Sequence, residues 1–258
     1  MPVITLTSDW GTKDHYLASV KGAILKQIPE ARIIDISHHI PPHNLTQAAF
    51  IIKNCYRDFP EGTIHIIGIS TEESENTPHT VVFADGQYFI GADNGIFSLI
   101  FDKPPEKVIE INLMQDSEFF TFSSRDRFVK TAAEIIKGED IEKLGHVREL
   151  LNEKFLFAPV VDQDVIKGMV IYVDNYNNVI TNISKEKFKE VGKNRKFTIT
   201  FRGEEIHNIR DSYSDVPVGE ILALFGCNGH LEIAMNNGKA GSLLGLNPDD
   251  PVRVEFHD

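Results

Sequence analysis

The hydrophobic texture of this chain changes near Asp162, and that change bounds the folds open to it. Before it, strand and helix signals alternate. Val3 to Leu6 form an apolar run that passes through a short polar loop into a helical face of Leu17, Val20 and Ile24. Residues 31–36 read as a strand, followed by the turn Pro41-Pro42-His43-Asn44. Asn44, with Gln47 three positions on, predicts a capping-box start to a helix running to about Phe59. Residues 63–69 are continuously β-rich, the mark of a strand buried on both faces. Residues 80–83 and 87–91 flank Asp85-Gly86, a strong hairpin signal. Residues 107–113 form another strand, and 125–137 a helix ended by Gly138. The alternation predicts a layered α/β domain over residues 1–150 with a mostly parallel central sheet.

Beyond Asp162 the strand candidates are short: residues 165–173, 196–201, 221–225, 231–235 and 252–256, separated by Gly, Asn and Asp turns. Only residues 184–191 carry a helical pattern. This predicts a small all-β domain, a barrel or a sandwich, over residues 163–258. Residues 151–162 connect the two domains, and Phe155, Leu156 and Phe157 predict a connector that packs rather than dangles.

With 258 residues the chain has ample core for one large domain or two smaller ones. A net charge of −12 argues against nucleic acid or an anionic membrane as a partner. No apolar run is long enough to span a bilayer, and Met-Pro-Val-Ile-Thr has no signal-peptide architecture. Cys55 and Cys227 are too few and too far apart for a disulfide framework or a zinc ribbon. A cytoplasmic protein is the expectation, with no metal site and no resident cofactor.

Four polar clusters fall at strand or helix edges: Asp9/Asp14/Tyr16, Asp93-Asn94-Gly95, residues 122–126, and Asp174-Asn175-Tyr176-Asn177-Asn178 running on to Asn182. A first strand ending in an acidic loop puts carboxylates at the carboxyl edge of a sheet, where α/β proteins bind ligands. Two readings of Asp9 stand open on local pattern: a turn former, or a carboxylate whose paired oxygens suit a sugar diol or a cation. Asp14 is a surface residue near a helix start, or a second ligand group. The Asn-rich loop is longer than a plain turn needs. It is either stabilised by its own side-chain to backbone bonds, or an adenine-edge reader with Tyr176 as a stacking face.

Taken together these segments resemble the S-adenosylmethionine hydroxide adenosyltransferases, relatives of the fluorinating and chlorinating enzymes. The resemblance rests on Leu6 to Asp9 with Gly11, Asp14, Tyr16 and Lys21-Gly22, on Ile34-Asp35-Ile36-Ser37-His38, and on Phe59-Pro60-Glu61-Gly62-Thr63. It continues through Asp93-Asn94-Gly95, Thr121-Phe122 with Arg125-Asp126, Asp174 with Asn178 and Thr181-Asn182-Ile183, and residues 229–234. It implies an α/β domain followed by a small β-barrel, assembled as a homotrimer with the ligand at the subunit interface. It implies S-adenosylmethionine or adenosine as the ligand. Asp9 matches the residue that holds both ribose hydroxyls. Asp14, Tyr16 and Asp174 match the surroundings of the methionine end, Tyr176 an aromatic beside adenine, and Asn178 an asparagine on the adenine edge. Phe122 and Ser124 fall in the nucleophile pocket, and Cys227 opens a tail, Cys227-Asn228-Gly229-His230, that reads like the hydrolytic branch. The implied chemistry is an SN2 displacement at the ribose C5′ with methionine leaving as a neutral thioether. A sulfonium needs no general acid. Alignment and a partly dry pocket carry the rate.

The chain departs from the hydrolytic pattern at the three residues that orient and deprotonate water. Ser70 stands in place of an aspartate, Thr77 of an arginine and Ser123 of a histidine. The halogenase pattern, with tyrosine at the Ser70 position, is absent too. Ser123 with Asp126 fits a helix N-cap. Candidates for a replacement base are Glu72, Glu73, Glu75 and His79 in the altered loop, and His43 in the turn where family members approach the ligand. Each loop residue also fits a solvated acidic surface, and His38 and His39 fit structural roles at a strand end. The sequence therefore supports a divergent adenosyltransferase acting on water. It also supports a non-catalytic adenosyl-binding protein, or a transferase using another nucleophile.

Overall fold

A computed structural model describes residues 1–115, 118 and 120–257. The chain divides into two compact units, Met1–Leu156 and Phe157–Asp258.

The first unit carries strands β1 (Val3–Ser8), β2 (Arg32–Ser37), β3 (Ile64–Gly68), β4 (His79–Ala84), β5 (Gln87–Ala92), β6 (Lys107–Ile111) and β7 (Gly145–Val147). They form one sheet in the order β2-β1-β3-β5-β4-β6-β7. β1 runs parallel to β2 and β3, and β3 parallel to β5. The pairings β5–β4, β4–β6 and β6–β7 are antiparallel. The sheet is therefore mixed, and the expectation of a mostly parallel one holds only for its first half. The hairpin is the cause. Asp85 (φ 50) and Gly86 (φ 73) both take left-handed backbone, which folds β4 straight back along β5 and reverses the rest of the sheet.

Both faces are covered, which is why β3 reads as an unbroken apolar run and is buried along its whole length. Helices α1 (Tyr16–Gln27) and α4 (Val129–Ile136) pack Val20, Ile24, Val129 and Ala132 against Ile4, Ile64 and Ile66. On the other face α2 (Leu45–Lys53) and α3 (Ile96–Ile100) pack Ala48, Ile52 and Phe97 against Ile67 and Phe89. Asn44 caps α2, its Oδ1 accepting from the Gln47 N–H at 2.9 Å. The reciprocal half of a capping box is replaced, because the Asn44 N–H donates to the Pro41 carbonyl. The helix also stops at Lys53 rather than near Phe59. Phe59 precedes Pro60 and is held extended (φ −88, ψ 149), and a short 3₁₀ turn, Tyr56–Asp58, makes the transition. A single π-helical turn, Ser124–Phe128, leads into α4.

The second unit holds β8 (Val160–Asp162), β9 (Val165–Val173), β10 (Val179–Ser184), β11 (Lys196–Phe201), β12 (Glu204–Ile206), β13 (Ile221–Phe225), β14 (His230–Met235) and β15 (Pro251–His257). Their order is β12-β11-β15-β9-β10-β14-β13, with β8 on β9, and every pairing is antiparallel. Just beyond β12, Ile209 bridges to Ala223 of β13, so the sheet curls until its two edges nearly meet. Ile166, Val170, Ile199, Leu231, Ile233 and Val254 fill the interior. The expected helix is α5 (Lys185–Gly192), capped by Ser184. A second helix, α6 (Ala240–Leu244), corrects the expectation of one. It is too short to show a period and is held from outside, Asn177 accepting from the backbone of both Gly241 and Ser242. No helix among the described residues is long and apolar enough to cross a membrane.

Candidate functional site

The carboxyl edge of the first sheet has its switch point between β1 and β3, because the chain leaves β1 for β2 on one side and returns as β3 on the other. Ser8 pairs with Gly68, so Asp9, one residue beyond β1, and Ser70, two beyond β3, emerge at the same edge. Between them comes the turn before α2. The Asn44 N–H donates to the Pro41 carbonyl at 3.1 Å, with Pro42 and His43 at the centre and His43 at φ 64. This is the type II pattern, in which proline presets the first central residue and the second must be left-handed. From that turn the His43 N–H donates to Asp9 Oδ2 at 2.9 Å, while its imidazole Nδ1 meets Ser70 Oγ at 2.9 Å. Ser70 is itself left-handed (φ 47), and Asn94 Nδ2 braces it by donating to the carbonyls of Ile69 and Ser70, each at 3.1 Å. Two facing non-glycine residues thus carry left-handed backbone, at about 1–2 kcal/mol each.

Aromatic rings wall this edge. Trp10 meets Phe122 edge-on with centroids 5.6 Å apart, and Phe122 meets Tyr16 at 5.4 Å. Trp10 lies so close over Gly68 that a Cβ there would fall 2.2 Å from the indole. Sequence reading passed over Trp10, although its place between Asp9 and Gly11 was the available signal. Beneath the wall His38 is buried, its Nδ1 bonded to Ser8 Oγ at 2.6 Å and its Nε2 3.1 Å from Asp35; burial lowers its pKa against the pull of that carboxylate. Ser124 is fully buried in the π-helical turn, its hydroxyl without a hydrogen-bond partner among the described residues. Asp14 and His39 are exposed, and Asp14 does not cap α1, whose N-cap position is His15.

The loop between β3 and β4 is built as a clamp. Thr77 and Ser74 close a tight turn through both backbone and hydroxyls, and Thr77 Oγ1 donates to the Glu72 carbonyl at 3.2 Å. His79 is 1% exposed. Its Nε2 lies 2.9 Å from the Thr71 carbonyl, which can only accept, so Nε2 carries the proton and Nδ1 presents a lone pair. Arg127 donates to that lone pair at 3.0 Å and also to Glu73. Burial lowers the His79 pKa. Glu72 and Glu75 are exposed. Ser123 does not cap a helix: its own backbone is helical (φ −59, ψ −30), and Asp126 is taken up by Arg125. Asp93 is fully buried, paired with Arg148 at 2.8 Å and accepting from the Asn152 N–H; burial raises its pKa against those contacts. Its work is to pin the 148–152 segment. A cavity of about 650 Å³ lies at the opposite, amino edge, lined by Tyr56, Arg57, Asp85, Gln87 and Phe101, and holds none of the expected site residues.

In the second unit the Asn-rich loop follows the bonding its composition allowed. Asp174 accepts from both the backbone and the side chain of Asn178, at 2.8 and 3.2 Å, and Asn177 is spent on α6. Asn178 is buried, while Tyr176 is 78% exposed and Cys227 also open to solvent. Sequence reading did not single out Tyr213 and Glu232. The Tyr213 hydroxyl donates to Glu232 at 2.7 Å, and burial, with Asp174 nearby, raises the Glu232 pKa against that bond. Tyr213 feels Asp174 and Cys227 as well, so four polar groups gather at one end of this unit. Among the described residues no group of three or more His, Cys, Asp or Glu side chains could hold a metal ion.

Comparison with known proteins matches both units. Residues 4–145 match the SAM hydroxide adenosyltransferase N-terminal domain and residues 168–253 its C-terminal domain. The chain is 30% identical to an (R)-S-adenosyl-L-methionine hydrolase of Methanocaldococcus jannaschii, over 99% of this chain and 97% of that one. It is 29% identical to the enzyme of that name from Thermus thermophilus (98% and 100% covered), and 26% identical to a fluorinase of Nocardia brasiliensis (91% and 90%). A crystal structure of a conserved Thermotoga maritima protein superposes with a TM-score of 0.88 at 28% identity, covering 98% of this chain and 99% of that one. The two domain matches span most of the chain and agree with the mixed sheet followed by the near-closed barrel. The chain belongs to the SAM hydroxide adenosyltransferase family.

Proposed function

We propose that this protein binds S-adenosylmethionine and transfers its adenosyl group to water, giving adenosine and methionine. One observation carries the reading beyond family membership: Asp9, at the β1–β3 switch point, has one carboxylate oxygen fixed by the His43 amide, which leaves the other to meet a ribose diol. Tyr16, Phe122 and Trp10 supply the aromatic surround of a ligand, and the buried Ser124 hydroxyl marks a polar spot behind it. Asp14, Tyr16 and Asp174 suit the methionine end, Asn178 and Tyr176 the adenine side, and Cys227 completes the substrate-binding set. Acidic groups favour a sulfonium ligand, and the displacement needs an aligned nucleophile more than an acid. The substrate supplies the reactive group, and no resident cofactor enters the reaction.

Titration calorimetry with S-adenosylmethionine and with adenosine tests binding, and chromatography of adenosine tests turnover. Heat with either ligand and product above the uncatalysed rate are expected. Absence of both sinks the reading. A second reading, a binding protein without turnover, draws on Thr77 and Ser123: Thr77 is spent on closing a turn, and Ser123 caps nothing. Binding without adenosine release selects it, and release of a different 5′-substituted adenosine selects another nucleophile. A homotrimeric, cytoplasmic protein with domains at 1–150 and 163–258 completes the proposal. The expected packing of Phe155, Leu156 and Phe157 is not met within the chain, where all three are exposed, and with Val160 they support self-association, which light scattering measures.

A further inference from the structure

We propose that His43 and Ser70 are the water-activating pair of this site; the proposal rests on the adenosyltransferase reading above. Four observations converge. The imidazole Nδ1 and the Ser70 hydroxyl are 2.9 Å apart. Both residues are held left-handed, at φ 64 and φ 47, and strain of this kind persists where surrounding structure enforces it. That enforcement is visible: the Pro41–Asn44 turn sets His43, and Asn94 bonds the carbonyls at the end of β3. The same residue that offers the imidazole also bonds Asp9 through its amide, so a diol seated on Asp9 lies beside the pair.

Three neighbouring candidates are held by other groups, while Glu72 and Glu75 lie exposed on the loop. His79 gives its proton-bearing nitrogen to Thr71 and its lone pair to Arg127. Glu73 is bound by the same arginine. His38 is buried, with Nδ1 on the Ser8 hydroxyl and Nε2 facing Asp35 at 3.1 Å. His43, in contrast, is exposed, and a proton it takes has a path to solvent.

The step balances as follows. The water oxygen bonds to C5′ as the C5′–S bond breaks, and its electron pair stays on sulfur to give the neutral thioether. Ser70 Oγ accepts one proton from the water while passing its own to Nδ1 of neutral His43. The imidazolium then releases the proton to solvent. Among the described residues, Asp9 is the titratable group hydrogen-bonded to the pair.

The test uses His43→Asn and Ser70→Gly in the full chain. Asparagine tolerates left-handed backbone and sets an amide where Nδ1 stands, but takes no proton; glycine relaxes the backbone and removes the hydroxyl. For His43→Asn the expected result is S-adenosylmethionine affinity within about threefold, kcat lower by about 10²–10³, and loss of the acidic limb of the kcat profile. Ser70→Gly is expected to lower kcat at least about tenfold with unchanged melting temperature. Turnover by His43→Asn within about threefold of wild type, with an unaltered pH profile, overturns the pair and leaves adenosyl transfer standing. Wild-type protein that binds ligand and releases no adenosine overturns pair and hydrolysis together. Loss of affinity with unchanged kcat in either variant makes its residue a ligand holder and overturns the proposal.

Discussion

Two histidines on the same sheet edge show how burial and bonding separate a reactive group from a structural one. His43 is exposed, sits on left-handed backbone and bonds the Ser70 hydroxyl. His79 is buried, edge-on to Phe128 at 4.9 Å, with its tautomer locked by a carbonyl and its lone pair taken by an arginine. His79 lies in the loop between β3 and β4, where it serves as a staple between that loop and the π-helical turn. His43 lies outside the loop and faces Ser70. The lesson is that residue type and sequence neighbourhood nominate a base, while its bonding partners decide whether it can act.

The comparison breaks first at Asp9, which the His43 amide holds. Asp9→Ala is expected to weaken S-adenosylmethionine binding by about 2–3 kcal/mol, roughly 30- to 150-fold, with little change in melting temperature. A loss smaller than about threefold by calorimetry removes Asp9 as the ligand clamp. His79→Leu sharpens the other side. It removes one of the two acceptors of Arg127 and the donor to the Thr71 carbonyl, which is expected to cost about 1–3 kcal/mol of stability in urea unfolding, while turnover per folded molecule stays within about threefold. A catalytic defect larger than that, in a fully folded protein, would return His79 to the reaction.

The pH dependence of stability gives a third measure. His65 is buried between Thr5 and Gln87, and burial lowers its pKa from 6.5 to about 4. The unfolded chain therefore binds this proton first. The stability contribution is present above pH 6.5 and drains away as pH falls toward 4, by about 2–3 kcal/mol, with His38 and His79 shifted in the same direction. Thermal unfolding should fall off over that window, and His65→Gln should flatten the slope even though it lowers stability at neutral pH. Gly68→Ala should cost about 1–2 kcal/mol by displacing Trp10, read as a lower melting temperature and quenched or shifted indole fluorescence. Glu75→Gln, on the exposed loop, should stay within about 0.5 kcal/mol in stability and leave turnover unchanged.

Much of the fold was legible because its signals are local. Asp85-Gly86 announced a hairpin through the backbone those two residues adopt, Asn44 announced a cap through its reach to Gln47, and 63–69 announced a doubly covered strand by lacking any polar alternation. The reversal of half the sheet was latent in the same hairpin, but a turn signal does not say which neighbours the returning strand will find. The π-helical turn before α4 left no pattern of its own.

The residues therefore determined by themselves the two-part architecture, the family, and the placing of Asp9 at a strand end. Periodicity, turn chemistry and motif order are properties of neighbouring residues, and any folded state must respect them. Tertiary structure decided what the polar groups do. His43 meets Ser70 across 27 positions and Arg127 meets Glu73 across 54, and nothing local in either segment encodes those encounters. They follow from the order of strands in the sheet, which sets β1, β3 and β4 with their loops on one edge and so determines which side chains share a proton and which spend it on holding the fold.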